Sequence, residues 1–318
     1  SGGSIYIRCG ILGGSTSGWI RANGGDSGAQ FIYPGAGGGG RVTLLYEALD
    51  GTPGLRLTTH IGRNSWKTVD YSSPQQRVAP EMGTLYFSDP DLMNSLLACW
   101  GGTATGVNGY VHFESTNIWE MSGLILSNAM LGIPESNEWR IAGDLAMTTG
   151  QLAVASYGRL DCAGDIRLQQ GSVLRVYSGA TNGIGQEYGA RVEVGGELEI
   201  GSACWLYPFS HSADGGSVYV KSGSATIQAG GGIDADGRGY RVAAGPGKGF
   251  NSYGGAGHGG RGGHDNGGAG GGPAYGVTNG PTEPGSGGKG NGYGRGGGVI
   301  RLDVGGALNL DGTISASG

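Results

Sequence analysis

The sequence has few charged residues and no block of one sign. Asp, Glu, Lys and Arg make up only 14% of the 318 residues, and the formal net charge is −5. The 20 basic residues are scattered singly, whereas a protein that binds nucleic acid concentrates Lys and Arg on one face. The composition therefore argues against a nucleic-acid partner.

Long apolar runs are missing as well. No stretch approaches the roughly 18 consecutive apolar residues of a membrane-spanning helix, so we expect no membrane span. The opening residues, SGGSIYIRCG, have no basic or strongly apolar region of a signal peptide and no initiator Met. We therefore expect the chain to be a processed or excised piece of something longer.

Cysteine is scarce and widely spaced. Cys9, Cys99, Cys162 and Cys204 form no CxxC pair, which argues against a zinc site. Two alternatives stay open: two disulfides in a secreted protein, or four buried thiols. No cofactor motif is present either, since GPGKG at 245–249 lacks the Ser or Thr that follows Lys in a phosphate-binding loop.

Amphipathic helices are nearly absent. The segment 89–100, DPDLMNSLLACW, has Leu92, Leu96 and Leu97 at helical spacing behind Asp89, a residue type that caps helices. We predict one short helix or turn there. Most of the remaining sequence alternates apolar and polar residues in twos, which is typical of strands.

Short strands with glycine corners repeat between 143 and 176. Units of the form Gly-x-Leu-x-apolar recur every six to eight residues, and the pattern returns after 21 residues, from Leu145 to Ile166. That period is typical of one turn of a three-sided parallel β-helix. An antiparallel sandwich would also alternate, but its Asn-Gly hairpin signals are scarce. We predict an all-β fold, a right-handed parallel β-helix (three-sided β-solenoid).

Glycine is what the sequence has in excess, with 74 residues, 31 of them between 230 and 298. This stretch has few serines and carries Phe250, Tyr253, Tyr275 and Tyr293, unlike a flexible Gly/Ser linker. Glycine chains in the polyproline II conformation pack closely, although the strict period of collagen is missing here. We predict a long Gly-rich excursion, partly polyglycine-II-like, that packs on the β-helix.

A second repeat, Ile-x-Ala-x-Gly, begins at Ile20, Ile233 and Ile314. Two glycine-rich segments end in Gly-Gly and a strand, at 35–49 and 294–304, and SGGSIYIRCG has the same ending without the glycine-rich lead. The start and the end of the chain therefore look like two halves of one unit.

We divide the chain into four regions. Residues 1–49 are Gly-rich strands that complete a module, 50–138 a connecting β region with the short helix, 139–229 regular β-helix strands, and 230–318 the Gly-rich excursion and terminal strands.

These motifs resemble the glycine-rich parallel β-helix (pectin-lyase-like) modules of large secreted bacterial surface proteins. Some plant glycine-rich proteins share the signature that SGGSI, ISASG and GAGGGGR carry here. The resemblance covers residues 1–42, 143–183 and 230–318. It implies a solenoid architecture in an extracellular protein and says almost nothing about activity.

Three acidic and basic residues are candidates for chemistry. Asp234, Asp236 and Arg238 in GIDADGRG offer the paired carboxylates or the base of a polysaccharide hydrolase or lyase. We favour turn chemistry, because Asp bonds its own backbone in tight turns. A calcium site is the weaker alternative, since the calcium-binding repeat is not matched.

Two further groups have a structural and a functional interpretation. His258, His264 and Asp265 have residue types that bind metals, but isolated surface histidines are commoner. The tryptophans are candidates for a sugar-stacking platform, but core packing is the commoner role. They are Trp19, Trp66, Trp100, Trp119, Trp139 and Trp205.

No catalytic constellation emerges, so we predict an extracellular structural protein without a cofactor, metal or enzyme activity. Exposed strand edges at both ends would let copies associate head to tail into a filament or surface layer. We assign this self-association to Ile5, Ile7, Ile300, Ile314 and Ala316. The alternative is a carbohydrate-binding or polysaccharide-cleaving module, whose partners would be cell-surface glycans.

Overall fold

The computed structural model describes residues 1–26, 36–62, 81–180, 188–250, 254–264, 270–289 and 294–318. Within these ranges the chain forms 23 strands and one helix, and the strand pairings are parallel. Most strands are short, and their bounds follow in chain order. They are β1 (Ser4–Leu12), β2 (Trp19–Arg21), β3 (Arg41–Leu49), β4 (Arg56–Thr58), β5 (Thr84–Phe87), α1 (Asp91–Cys99), β6 (Thr103–Ala104), β7 (Val107–Phe113), β8 (Ile118–Met121), β9 (Leu124–Ser127), β10 (Met130–Ile133), β11 (Glu138–Ile141), β12 (Leu145–Thr148), β13 (Gln151–Val154), β14 (Arg159–Cys162), β15 (Ile166–Gln169), β16 (Val173–Tyr177), β17 (Ala190–Ile200), β18 (Trp205–Phe209), β19 (Val218–Ile227), β20 (Gly232–Asp234), β21 (Leu302–Val304), β22 (Leu308–Leu310) and β23 (Thr313–Ser315).

The described strands assemble into two sheets, of 12 and 11 strands. The first sheet follows the order β1-β3-β5-β7-β10-β13-β16-β18-β20-β23, and β2 and β4 join it at β7. The second contains two rows, β6-β9-β12-β15 and β8-β11-β14, which meet at β17 and continue into β19, β21 and β22. Neighbouring strands are successive repeats of the chain, as in the pairing of Leu145 with Ile166.

The predicted three-sided, right-handed β-helix is wrong. The strands form two sheets rather than three separate sides, because long strands cross the expected glycine corners. Strand β17 passes through Gly195 and Gly196 and pairs with both β14 and β15, and β19 passes through Gly223. Glycine permits a corner but does not impose one, and β17 and β19 stay paired with each other across these glycines, with a register shift between Val194 and Glu197.

The core lies on the inward faces of the strands, where side chains alternate between buried and exposed. Leu145 and Met147 on β12 are fully buried, and Trp119 and Trp139 pack edge to face with ring centroids 4.8 Å apart. Burial of apolar surface contributes about 25 cal/mol per Å². The continuous cluster of buried side chains, which extends from Ala22 to Ile233, is therefore the main source of stability.

Several corners use non-glycine residues with a left-handed backbone. Asn128, Thr149 and Gln170 have φ angles of 50°, 55° and 52°, and they precede β10, β13 and β16 in successive repeats. Asn tolerates this conformation better than Thr or Gln. The Thr149 hydroxyl donates to Asn128 Oδ1 at 3.0 Å, so neighbouring corners support one another.

The predicted short helix is confirmed as α1. Its apolar face buries Leu92, Met93, Leu96 and Leu97. The expected cap differs, because Pro90 is the N-cap residue, while Asp89 Oδ1 accepts a hydrogen bond from the Asp91 amide at 2.9 Å. In the parts of the chain that the structure describes, no helix has the length and apolar character needed to span a membrane.

The described parts of the Gly-rich excursion are held by hydrogen bonds between glycine backbones. Gly262 N donates to Gly272 O at 3.0 Å, and Gly272 N donates to Gly255 O at 2.8 Å. A Cβ atom at Gly271 would overlap the carbonyl of Gly262, so the close approach of these chains requires glycine. Of the aromatics expected to anchor the excursion, Tyr275 donates to Pro284 O at 2.5 Å and Phe250 is exposed, while Tyr253 and Tyr293 lie outside the described residues.

Candidate self-association ends and a polar groove

Within the described residues, the strand edges at the two ends of the stack are unpaired on one side. In the part of the chain that is described, β1 pairs only with β3, β2 only with β4, and β23 only with β20. Strands β21 and β22 pair only with β19. Each edge presents N–H and C=O groups that another parallel strand can bind.

Apolar side chains at the β1 edge are incompletely covered. Ile5 pairs in register with Val42, and Ile7 with Leu44. The β3 residues are fully buried, whereas Ile5 and Ile7 pack against the core but stay half-buried. The difference arises because β3 has a neighbour on both sides and β1 has a neighbour on one.

The other end shows the same pattern. Ile314 on β23 is 37% exposed, while its register partner Ile233 on β20 is 1% exposed. Ile300, just before β21, is half-buried against the core, and Ala316 is exposed. The structure thus places all five predicted self-association residues at uncovered ends. It does not bring the residues of one end together with those of the other.

The cluster at 234–238 is structural. Arg238 Nη1 donates to Asp234 Oδ1 at 2.7 Å, and the Asp236 amide donates to the same oxygen at 2.7 Å. Asp236 Oδ1 also accepts hydrogen bonds from the Ser315 hydroxyl at 2.5 Å and the Ser317 amide at 2.6 Å. Burial opposes the shift, but these two bonds and the Arg238 charge lower the pKa of Asp236. The carboxylates therefore hold a turn and the next repeat together, as turn chemistry predicts.

The histidines do not form a metal-binding cluster in the described ranges. His258 packs against Tyr275 with ring centroids 5.0 Å apart, and Asp265 lies outside the described residues. No group of three or more His, Cys, Asp or Glu side chains gathers at one point among the residues that the structure covers.

All four cysteines are free thiols. Cys162 and Cys204 are buried, Cys9 is half-buried and Cys99 is exposed. Burial raises the pKa of the Cys162 thiol to about 11, which keeps it in the protonated, unreactive form at neutral pH. The four cysteines are therefore neither paired in two disulfides nor all buried, the two alternatives that the sequence left open.

Outward-facing carboxylates are paired with arginines of neighbouring strands. Arg140 Nη1 forms a salt bridge with Glu120 Oε1 at 3.0 Å, and Arg191 Nη2 forms one with Asp161 Oδ2 at 2.7 Å. Arg167 bonds Asp144 at 2.7 Å. These ladders are the cross-strand opposite-charge pairs that stabilise sheets, and they occupy carboxylates that an acid–base mechanism would need.

The described tryptophans divide between the core and the surface. Trp119 and Trp139 lie in the core, Trp205 stacks on Tyr207, and Trp66 lies outside the described residues. Trp19, in contrast, is 46% exposed. Its ring lies 4.9 Å from the guanidinium of Arg56, which also approaches Trp100 at 5.5 Å.

Trp19 forms one wall of a groove of about 630 Å³ that crosses the first sheet. A single line of register-paired residues crosses it over five strands: Arg21, Thr58, Asn108, Met130 and Gln151. Sequence reasoning missed this groove, because the residues lie at unequal spacings on strands that share no motif. Only strand pairing aligns them.

The groove floor is polar and partly unsatisfied. Thr58 is 5% exposed, and its Oγ1 has no hydrogen-bond partner within the described residues. Gln151 Oε1 is held by Arg175 Nη1 at 2.7 Å, and Asn108 Oδ1 accepts the Met130 amide at 2.8 Å. An aromatic wall above fixed hydroxyl and amide groups suits a ligand with one apolar face and many hydroxyls.

Comparison with known proteins adds no family assignment. No family model, curated protein or solved structure matches the chain. Its function is therefore inferred from the residues themselves.

Proposed function

We propose that this protein is an extracellular structural subunit whose copies associate end to end into a filament or layer. The observation that carries this proposal is the pair of open sheet ends. Among the described strands, both ends combine edges that pair on one side only with half-buried or exposed apolar side chains that have covered counterparts one strand further in. A second copy supplies the missing strand at each end.

Strand direction and charge favour a contact between unlike ends. Every strand in the first sheet is parallel to its neighbours, so the last strand of one copy can precede the first strand of another without reversal. Arg8 and Arg21 lie on the first strands, whereas Asp303 and Asp311 lie on or beside the last ones. Opposite charges on the two ends promote the head-to-tail encounter.

A head-to-tail contact of this kind produces an open polymer rather than a closed dimer. Each copy uses two different surfaces, so the association does not close unless the rotation between copies forms a ring. The resemblance of the glycine-rich motifs to modules of secreted bacterial surface proteins supports an extracellular setting for such a polymer.

The test is concentration-dependent assembly of the purified chain. Sedimentation velocity and negative-stain electron microscopy at increasing concentration should show a rising average mass and filaments one subunit wide. A monodisperse monomer at high concentration, in low and moderate salt, would contradict the proposal.

The second candidate function is glycan binding, and the Trp19 groove favours it. Pyranose rings stack their apolar face on an aromatic ring, while their hydroxyls bond to groups such as Thr58 and Gln151. Among the described lining residues Asp26 is the only carboxylate, so the groove fits binding better than cleavage.

Glycan binding is tested with the folded protein on an array of neutral and uronic-acid oligosaccharides, followed by calorimetry with any ligand found. Trp19→Ala should weaken binding at least tenfold, whereas Trp205→Ala, a Trp outside the groove, should leave it unchanged. If no glycan on the array binds, or if both variants lose the same affinity, this candidate function is wrong.

A further inference from the structure

Three stretches of the chain are copies of one structural unit. Residues 2–10 are GGSIYIRCG, 215–223 are GGSVYVKSG and 297–305 are GGVIRLDVG. Each is followed by the Ile-x-Ala-x-Gly motif, which ends at 24, 237 and 318 respectively. We call 2–24, 215–237 and 297–318 the first, second and third units.

Within one chain the second unit stacks on the third in register. Val220 pairs with Leu302, Ser222 with Val304, and Ile233 with Ile314. These are the positions that the alignment of the two units equates. The unit sequence therefore encodes a surface that accepts another copy of the same unit.

Outward-facing residues complement one another in the same stack. Lys221 lies opposite Asp303, the Tyr219 hydroxyl donates to Asp303 Oδ2 at 2.9 Å, and the Arg301 guanidinium lies 5.2 Å from the Tyr219 ring. The first unit carries Tyr6 and Arg8 at the positions of Tyr219 and Lys221. In register, Tyr6 lies opposite Arg301 and Arg8 opposite Asp303 of another copy, the same aromatic–cation and opposite-charge pairs with the order of the two strands exchanged.

Gly3 gives a second, independent indication that the first unit accepts a unit of another copy. The glycine that opens the next strand donates its N–H to the Ala of a unit, Gly40 to Ala22 O and Gly298 to Ala235 O, both at 2.7 Å. A Cβ atom at Gly40 would overlap the backbone of the preceding repeat. Gly3 corresponds to Gly40, because the residues that follow them, Ser4 and Arg41, pair with each other. A Cβ atom at Gly3, however, would meet no atom within 4 Å.

We propose that the third unit of one copy stacks on the first unit of the next, in the register that the second and third units use within the chain. This inference rests on the proposed self-association and specifies its register. Leu302 lies over the partner's Ile7, Val304 over the partner's Cys9, and Ile314 over the partner's Ile20. The partner's Gly3 donates its N–H to Ala316 O, which explains why a glycine stands there.

Cross-linking tests the register directly. In a Cys99→Ser background, Val304→Cys should form a disulfide with the partner's Cys9 on mild oxidation, because in-register parallel neighbours lie about 4.8 Å apart, within the range of about 4.4 to 6.8 Å that disulfides span. The product should be a ladder of multimers on a non-reducing gel. Cys9→Ser should abolish it, and Leu302→Cys, two residues along the strand, should not produce it.

An intrachain bond cannot mimic this result. Cys9 lies on β1, and Val304 lies on β21, in the unit that ends with β23. The first sheet places β1 and β23 at opposite edges of a ten-strand path, about 43 Å along the sheet at about 4.8 Å per strand, so the two ends of one chain are many strands apart. The ladder therefore reports contacts between copies.

Gly3→Ala tests the same contact without cysteine chemistry. It should leave the melting temperature of the single copy unchanged and reduce assembly at least tenfold. A Cβ at Gly40 would overlap Gly3 O and lie 2.8 Å from Ala22 O, and one at Gly298 would lie 3.2 Å from Ala235 O. By the same positions, the new methyl group at Gly3 crowds the backbone carbonyls of the partner's Gly298 and the partner's Ala316. Gly280→Ala is the matched control, since a Cβ at Gly280 also meets nothing within 4 Å and Gly280 lies in an exposed bend outside the three units.

The outcomes separate the two proposals. A wild-type chain that never assembles overturns both. A chain that assembles while Leu302→Cys rather than Val304→Cys cross-links, or while Gly3→Ala assembles normally, overturns this register and leaves self-association standing.

Discussion

Replacement of Ile314 by Asp should abolish assembly while the single copy stays folded. Complete burial of an Ile side chain is worth about 1.5–3 kcal/mol, and Ile314 is 37% exposed in one copy. Stacking would therefore gain roughly 0.5–1 kcal/mol at this residue. The carboxylate adds a desolvation penalty of several kcal/mol when the contact covers it.

These contributions together weaken the contact by about 3 kcal/mol or more, which is at least about a hundredfold in the association constant. The unfolding free energy of the single copy should fall by only about 1–2 kcal/mol, because Ile314 is 37% exposed and the substitution loses the burial that the rest of the side chain already has in one copy. Sedimentation velocity measures the association, and thermal unfolding followed by circular dichroism measures the fold.

Ile125→Asp is the matched control for this experiment. Ile125 is 39% exposed, nearly the same as Ile314, but it lies on β9, which has a paired strand on each side. It should leave assembly intact, and Ile5→Asp at the other end should behave like Ile314→Asp. Filaments of normal length from both end variants, or equal loss in the Ile125 control, would refute the reasoning.

Three further predictions concern the stability and reactivity of the single copy. Asp236→Ala should lower the unfolding free energy by about 1 kcal/mol at neutral pH, and Asp236→Asn should lower it by less, since Asn keeps the accepting oxygen but loses the carboxylate charge. Burial raises the pKa of Asp236, but the hydrogen bonds from Ser315 and Ser317 and the charge of Arg238 together outweigh it and lower the pKa. Its stabilisation is therefore complete above the unfolded pKa of about 4 and lost as the pH falls through the folded value, a dependence that urea titrations should find missing in Asp236→Asn. Trp139→Ala should lower the unfolding free energy, measured by chemical denaturation, by about 3–5 kcal/mol. A smaller loss would mean that the core closes around the cavity. With a thiol reagent at pH 8, Cys99 should react rapidly and Cys162 only on unfolding; rapid labelling of Cys162 would contradict its burial.

The sequence by itself determined the local features of this protein. The alternation around Leu145 and Met147 predicted which side chains face inward, because successive strand residues point to opposite faces. The spacing of Leu92, Leu96 and Leu97 predicted α1, which the structure places at Asp91–Cys99. The Asp-rich turn at 234–238 followed from the chemistry of short acidic side chains.

Only the tertiary structure decided how the strands combine. Whether the glycines of β17 and β19 form corners depends on the hydrogen bonds of the neighbouring strands, so the two-sheet arrangement was not visible in any local pattern. The groove wall at Trp19 and its floor at Thr58 likewise depend on register across strands about 40 residues apart in sequence. The motif repeats indicated that the chain ends are related, but the open edges became evident only when the paired strands showed which groups have no neighbour.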